Sequence, residues 1–208
     1  MHILTFVIAE EVRLELLELL DLCLETDSSQ FVANIAAVTG MLAKAGLDPN
    51  PDMKNRFAHF SSKLAQGMGK KAGPYLKGII TSLIANLQHQ HSKVRKSSLR
   101  GLKQVLCCKG AEVFMGEGPI QQLKFAMNDR SQDVRLEFYQ VLFHWMQNMD
   151  IHYLKQYEAD MVQFLLNGIS DDKLDIGLLC IGFLEEHGVR MRAAMQALGD
   201  ESMEGTTD

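Results

Sequence analysis

Five short segments of the chain line up at a nearly constant spacing. They are Glu11-Val12-Arg13, Asp52-Met53-Lys54, Lys93-Val94-Arg95, Asp133-Val134-Arg135 and Asp175-Ile176-Gly177, and their central apolar residues stand 41, 41, 40 and 42 positions apart. A unit of this length repeated along the chain stacks on its neighbours rather than closing around one globular core. Each anchor opens a helical stripe: Leu16, Leu17 and Leu20 follow the first, Ser98, Leu99 and Leu102 the third, Phe138, Tyr139 and Leu142 the fourth, and Cys180, Ile181 and Leu184 the fifth. Spacings of four and eight residues put one face of a helix inward. A second amphipathic stretch precedes each anchor and ends in a polar turn, as in Tyr75 to Leu87 before Gln88-His89-Gln90-His91-Ser92, or Ile120 to Met127 before Asn128-Asp129-Arg130-Ser131-Gln132. Each unit therefore reads as helix, turn, helix, and with only four prolines in 208 residues the spacing predicts an all-α chain.

Two helices per unit, an Asp in the turn and a Val-Arg pair opening the second helix resemble HEAT repeats. The reading is an α-solenoid of about five such repeats over residues 1–198, anchored at Val12, Met53, Val94, Val134 and Ile176. Five stacked pairs of helices, each roughly 10 Å across, make a curved rod on the order of 50 Å long with no central cavity. Asp48, Asp129 and Asp171 sit five residues before their anchors, and Arg13, Lys54, Arg95 and Arg135 one after. In HEAT proteins such groups bridge successive layers as a ladder. Arg95 points to the same side as Val94, Leu99 and Leu102, where a guanidinium needs a carboxylate or carbonyl. His89 stands in the Asp position of the third unit and Gly177 in the Arg position of the fifth, so the ladder is expected to break at both. The first helix of the first unit reads as truncated and the chain as part of a longer array. Residues 199–208, acidic and without apolar periodicity, read as a disordered tail.

No apolar run approaches the roughly 20 residues that span a bilayer, and the start of the chain lacks the basic region of a signal peptide. Four irregularly spaced cysteines, Cys23, Cys107, Cys108 and Cys180, form no disulfide framework and read as free thiols of a cytosolic protein. Charge is strongly segregated: residues 1–53 carry −7, residues 54–110 carry +12 without one Asp or Glu, and residues 111–208 carry −10. Lys93, Lys96, Arg100 and Lys103 recur along one helical face, a positive stripe expected to face the groove lined by second helices. One reading is a solvated face paired with acidic neighbours in the flanking repeats. The other is a docking surface for an acidic protein segment. Nucleic acid fits less well, because the flanking negative blocks repel a long polyanion and no aromatic residue is interleaved with the stripe.

Reactive constellations are absent from the sequence. His89 and His91 are separated from Cys107 by roughly 24 Å of helix, too far to share an ion, and no Walker, Rossmann, nucleophile-elbow or zincin motif occurs. No cofactor is expected. Gly67-Met68-Gly69-Lys70-Lys71 has neither the spacing nor the preceding strand of a phosphate loop and reads as a helix stop and flexible connection before Pro74. Trp145 lies eleven residues after Val134, where other units carry Cys23, Leu64 and Val105, and reads as packing between layers.

Two stretches, Leu83 to Leu106 and Phe164 to Gly188, resemble the HEAT-repeat dynein axonemal assembly factors. The run from Asn86 to Arg95 is distinctive, with Gln88-His89-Gln90-His91 its most specific element, and Asp48-Pro49-Asn50-Pro51-Asp52-Met53-Lys54 is similar to that family's turn. The resemblance covers residues 10–190. It implies a non-enzymatic cytoplasmic scaffold that assembles axonemal dynein arms for cilia or flagella alongside chaperones, with axonemal dynein chains, chaperones and other assembly factors as partners. The alternative is a general HEAT adaptor, of the transport-receptor or phosphatase-scaffold kind, that binds an acidic peptide motif.

Overall fold

The computed structural model describes residues 9–204. Among them nine α-helices follow in order with no strand: α1 (Glu10–Thr26), α2 (Ser28–Ala45), α3 (Pro51–Met68), α4 (Lys77–Asn86), α5 (Ser92–Val105), α6 (Pro119–Met127), α7 (Gln132–Asn148), α8 (Ile151–Gly168) and α9 (Leu174–Glu204). The odd-numbered helices pack side by side in chain order as one layer, and α2, α4, α6 and α8 form the other. This is an α-solenoid of HEAT repeats, with α1 the second helix of the first unit and four complete pairs after it.

Burial follows the 40-residue period. Met53, Val94, Val134 and Ile176 are at most 1% exposed, and Leu64, Val105 and Trp145, eleven residues on, are wholly buried. The first unit departs from this: Val12 is 46% exposed and Cys23 is also exposed, while Leu17 and Leu24 turn inward instead. Among the described residues α1 makes its main contacts with α3 and α2, and Leu17 and Leu24 form its apolar seam.

The turns between paired helices are closed by one side chain in each of the four complete units. Asp48, Asp129 and Asp171 each accept from the backbone N–H two residues on, at 2.9, 2.8 and 2.9 Å. In the third unit His89 Nδ1 accepts from His91 N at 3.2 Å, so the imidazole substitutes for the carboxylate within the turn. Asn50 then caps α3, accepting from Asp52 N and Met53 N, with Pro51 preset for the first turn.

Two expectations are corrected at the ends of elements. The connection after α3 is not a loose linker: Gly69, at φ +49°, stops the helix, and two 3-10 turns, Gly69–Lys71 and Gly73–Tyr75, carry the chain to α4. The acidic stretch from residue 199 continues α9 as far as Glu204, since a single glycine in a run of good helix formers costs only about 1 kcal/mol. Residues 1–8, where a truncated first helix was expected, and residues 205–208 lie outside the described residues.

Candidate protein-binding surface

The ladder residues meet across three of the four layers. Arg13 Nε donates to Asp48 Oδ2 at 2.8 Å. Arg95 makes a two-pronged pair with Asp129, at 2.5 and 2.7 Å, and donates from its third nitrogen to the carbonyls of His89 and Gln90. Arg135 pairs with Asp171 in the same way, at 2.7 and 2.9 Å, reaches Asp129 O at 2.9 Å, and also contacts Asp172. Planar guanidinium forks suit this geometry.

The layer expected to break at His89 is bridged by other atoms. Lys54 Nζ donates to Asn86 Oδ1 at 2.8 Å and to Gly46 O at 3.2 Å, and Asn86 returns a bond to Gly46 O at 2.9 Å. Burial lowers the Lys54 pKa, with Asp48 opposing that effect. The rung is displaced three residues toward the N-terminus because the imidazole, with Nδ1 accepting from His91 N, has no second acceptor to offer as a carboxylate does. Asn86, two residues before the Gln-His-Gln-His run, is the ladder member that the spacing of the aspartates did not reveal. Gly177 provides no rung, and a Cβ there would stand 2.9 Å from Ile169 O.

The basic stripe divides into two pairs. Arg100 Nε reaches Glu137 Oε2 at 2.8 Å and Lys96 reaches Asp133 at 3.8 Å, both across to α7. On the other side Arg56 pairs with Glu18, and Lys63 with Asp21 and Glu25 of α1. Basic α3 and α5 are thus flanked by acidic α1 and α7. Opposite charges 37 to 42 residues apart were the available signal, hidden because the partners lie in the flanking blocks. Lys93 and Lys103 keep no carboxylate within ion-pair distance among the described residues. Lys93 borders an open depression of about 420 Å³ together with Leu14, Asp52, Asn55 and His59.

The perturbed groups belong to the stack. Burial pushes the thiols of Cys107 and Cys180 up to about 12 and Cys108 up to about 11, and raises the Tyr139 phenol. Hydrogen bonding from Arg135 holds the Asp171 carboxyl below its ordinary value. Among the described residues no three His, Cys, Asp or Glu side chains converge as metal ligands do, and no helix is long and apolar enough to cross a membrane.

Desolvation first, and then Lys54, His91 and Arg95, lower the pKa of His89; desolvation and Lys103 lower that of His144. The unfolded chain takes up these protons near pH 6.5, the folded chain only at lower pH. Stability is therefore full above about pH 6.5 and declines as pH falls through the depressed folded values. His89→Asp keeps the turn acceptor and adds a charge facing Lys54. In urea titrations from pH 7.5 to 5, the variant's advantage over the parent is expected to widen toward acid; a constant gap would remove His89 from the acid response.

These layered contacts fit what the chain is similar to. The family described as dynein axonemal assembly factor 5-like, TPR repeats, matches residues 6–193. The chain belongs to that family. It is 23% identical to dynein axonemal assembly factor 5 of Xenopus laevis over 181 residues, covering 87% of this chain and 21% of that protein. The chain thus spans about a fifth of the length of this curated relative. The family description speaks of TPR repeats, whose period is about 34 residues; the 40 to 42 residues between anchors here are those of HEAT units. Among solved structures, an engineered protein superposes with a TM-score of 0.68 at 16% identity, over 99% of this chain and 87% of that one. A chain from work on TOG–tubulin binding specificity gives 0.52 at 16% identity, over 87% and 73%. Both likenesses are of fold.

Proposed function

We propose that this chain is a non-enzymatic protein-binding scaffold in the cytoplasmic pre-assembly of axonemal dynein arms for cilia and flagella, with dynein chains, chaperones or other assembly factors as its partners. Family membership across residues 6–193 is the observation that carries this reading. A stack whose buried charges are met by its own groups, on the ladder and beside it, supports it, because such a surface presents shape and charge without a reactive centre. Within the groove, Lys93 and Lys103 are the cations left for an acidic client, since Lys96 and Arg100 already meet Asp133 and Glu137.

Capture from the cytosol of ciliating cells tests both parts. The tagged chain is expected to enrich axonemal dynein chains or their chaperones, and Lys93→Glu with Lys103→Glu to reduce that enrichment several-fold. Enrichment unchanged by the pair discards the groove contact and keeps the role. Selective enrichment of transport or phosphatase components instead favours the general adaptor.

A further inference from the structure

The Gly67-Met68-Gly69-Lys70-Lys71 segment takes no part in the ladder or the stripe, yet it is held firmly in place. The 3-10 turns that follow α3 lie against the loop leaving α5. Cys108 Sγ donates to Gly69 O at 2.8 Å. Gly73 approaches so closely that a Cβ there would stand 2.2 Å from Lys109 O, and Gly110, at φ +95°, sits beside Pro74. The two inter-repeat loops thus touch backbone to backbone.

This contact gathers Lys70, Lys71 and Lys109, all exposed, onto one edge of the solenoid beside the 46% exposed Tyr75. With Lys71 two residues from Gly73 and Gly73 on the Lys109 backbone, the three Cα atoms fall within roughly 10 Å. None of the three lysines has a carboxylate within ion-pair distance among the described residues. The nearby Glu112 is buried and accepts from Gly110 N. Most other cations of the +12 block are spent: Lys54 and Arg95 on the ladder, and Arg56, Lys63, Lys96 and Arg100 on α1 and α7. Lys77 lies 5.8 Å above the Phe114 ring. The edge therefore concentrates charge that the stack does not neutralise, on a backbone already fixed, so little ordering cost opposes binding.

We infer that this loop edge is a docking site for a short acidic segment of a partner protein. The blocks of −7 and −10 on either side repel a long polyanion or an anionic bilayer but leave room for a few extended carboxylate residues. The site requires nothing of the dynein-assembly role and shares no residue with the groove of Lys93 and Lys103.

A fluorescein-labelled ten-residue polyglutamate peptide is the probe, followed by anisotropy at low and physiological salt. Three charge-matched variants separate the surfaces: Lys70→Glu/Lys109→Glu at the edge, Lys93→Glu/Lys103→Glu in the groove, and Lys44→Glu/Lys124→Glu on α2 and α6. Circular dichroism confirms each fold. The edge pair is expected to weaken binding about tenfold more than the α2/α6 pair. An edge pair that behaves like the α2/α6 pair overturns the site, and if the groove pair alone weakens binding, the groove contact stands by itself. Tighter binding of a ten-residue oligothymidylate, or of phosphatidylserine vesicles, at matched salt overturns the choice of an acidic peptide.

Discussion

Arg95→Ala is expected to lower unfolding stability by about 3–5 kcal/mol, because breaking a buried pair strands the partner charge. The Arg95 and Asp129 side chains are only 7% and 6% exposed. Truncation removes four hydrogen bonds at once: two to the carboxylate and two to the carbonyls of His89 and Gln90 that close the third unit's own turn. Asp129 retains only the N–H of Ser131, which cannot offset its desolvation. Arg56→Ala is the control, since both members of its pair with Glu18 are 51% exposed and such pairs contribute under about 1 kcal/mol. Urea denaturation followed by circular dichroism compares the two. A shallower transition for Arg95→Ala would show the solenoid parting between its third and fourth units. A loss no larger than that of Arg56→Ala would show the rung to be dispensable.

What could be read from the sequence, and what could not, divides along the range of the interactions. The anchors at Met53, Val94, Val134 and Ile176 are legible because a buried face recurs with both the helical and the repeat period, and two superposed periods are hard to imitate. The turn role of the aspartates is legible because it is local, each bonding two residues on. Contacts between layers are less so. The spacing of the aspartates marks His89 as a gap, whereas Lys54 finds Asn86 three residues earlier, since an amide one helical turn away reaches the same space. Exposure at Val12 escapes any periodic argument, because the pattern of α1 matches that of its neighbours. The stripe is legible as a stripe, but Arg100 and Lys96 meet acids 37 residues on, and no helical wheel records what lies on the next helix.

Trp145→Ala is expected to cost about 3–5 kcal/mol, the range for removing a large buried aromatic. Trp145 is the chain's single tryptophan and is wholly buried. Its indole N–H donates to Lys103 O at 3.1 Å, one of the last carbonyls of α5, which intrahelical bonding leaves unserved. The side chain therefore fills the space between α5 and α7 and also caps α5. Trp145→Phe keeps much of the packing while orphaning that carbonyl, and about 1–3 kcal/mol is expected. Phe125→Ala, at a position 55% exposed, is expected to stay within about 0.5 kcal/mol. If Trp145→Ala costs under about 1 kcal/mol, the layer must collapse around the gap and the ring is not what joins the units. Arg95 and Lys103 lie about 12 Å apart along α5, so the rung and the indole hold opposite ends of one interface. Their losses are expected to add within about 0.5 kcal/mol. The double variant then forfeits most of what holds a marginally stable domain together, and unfolding begins between α5 and α7.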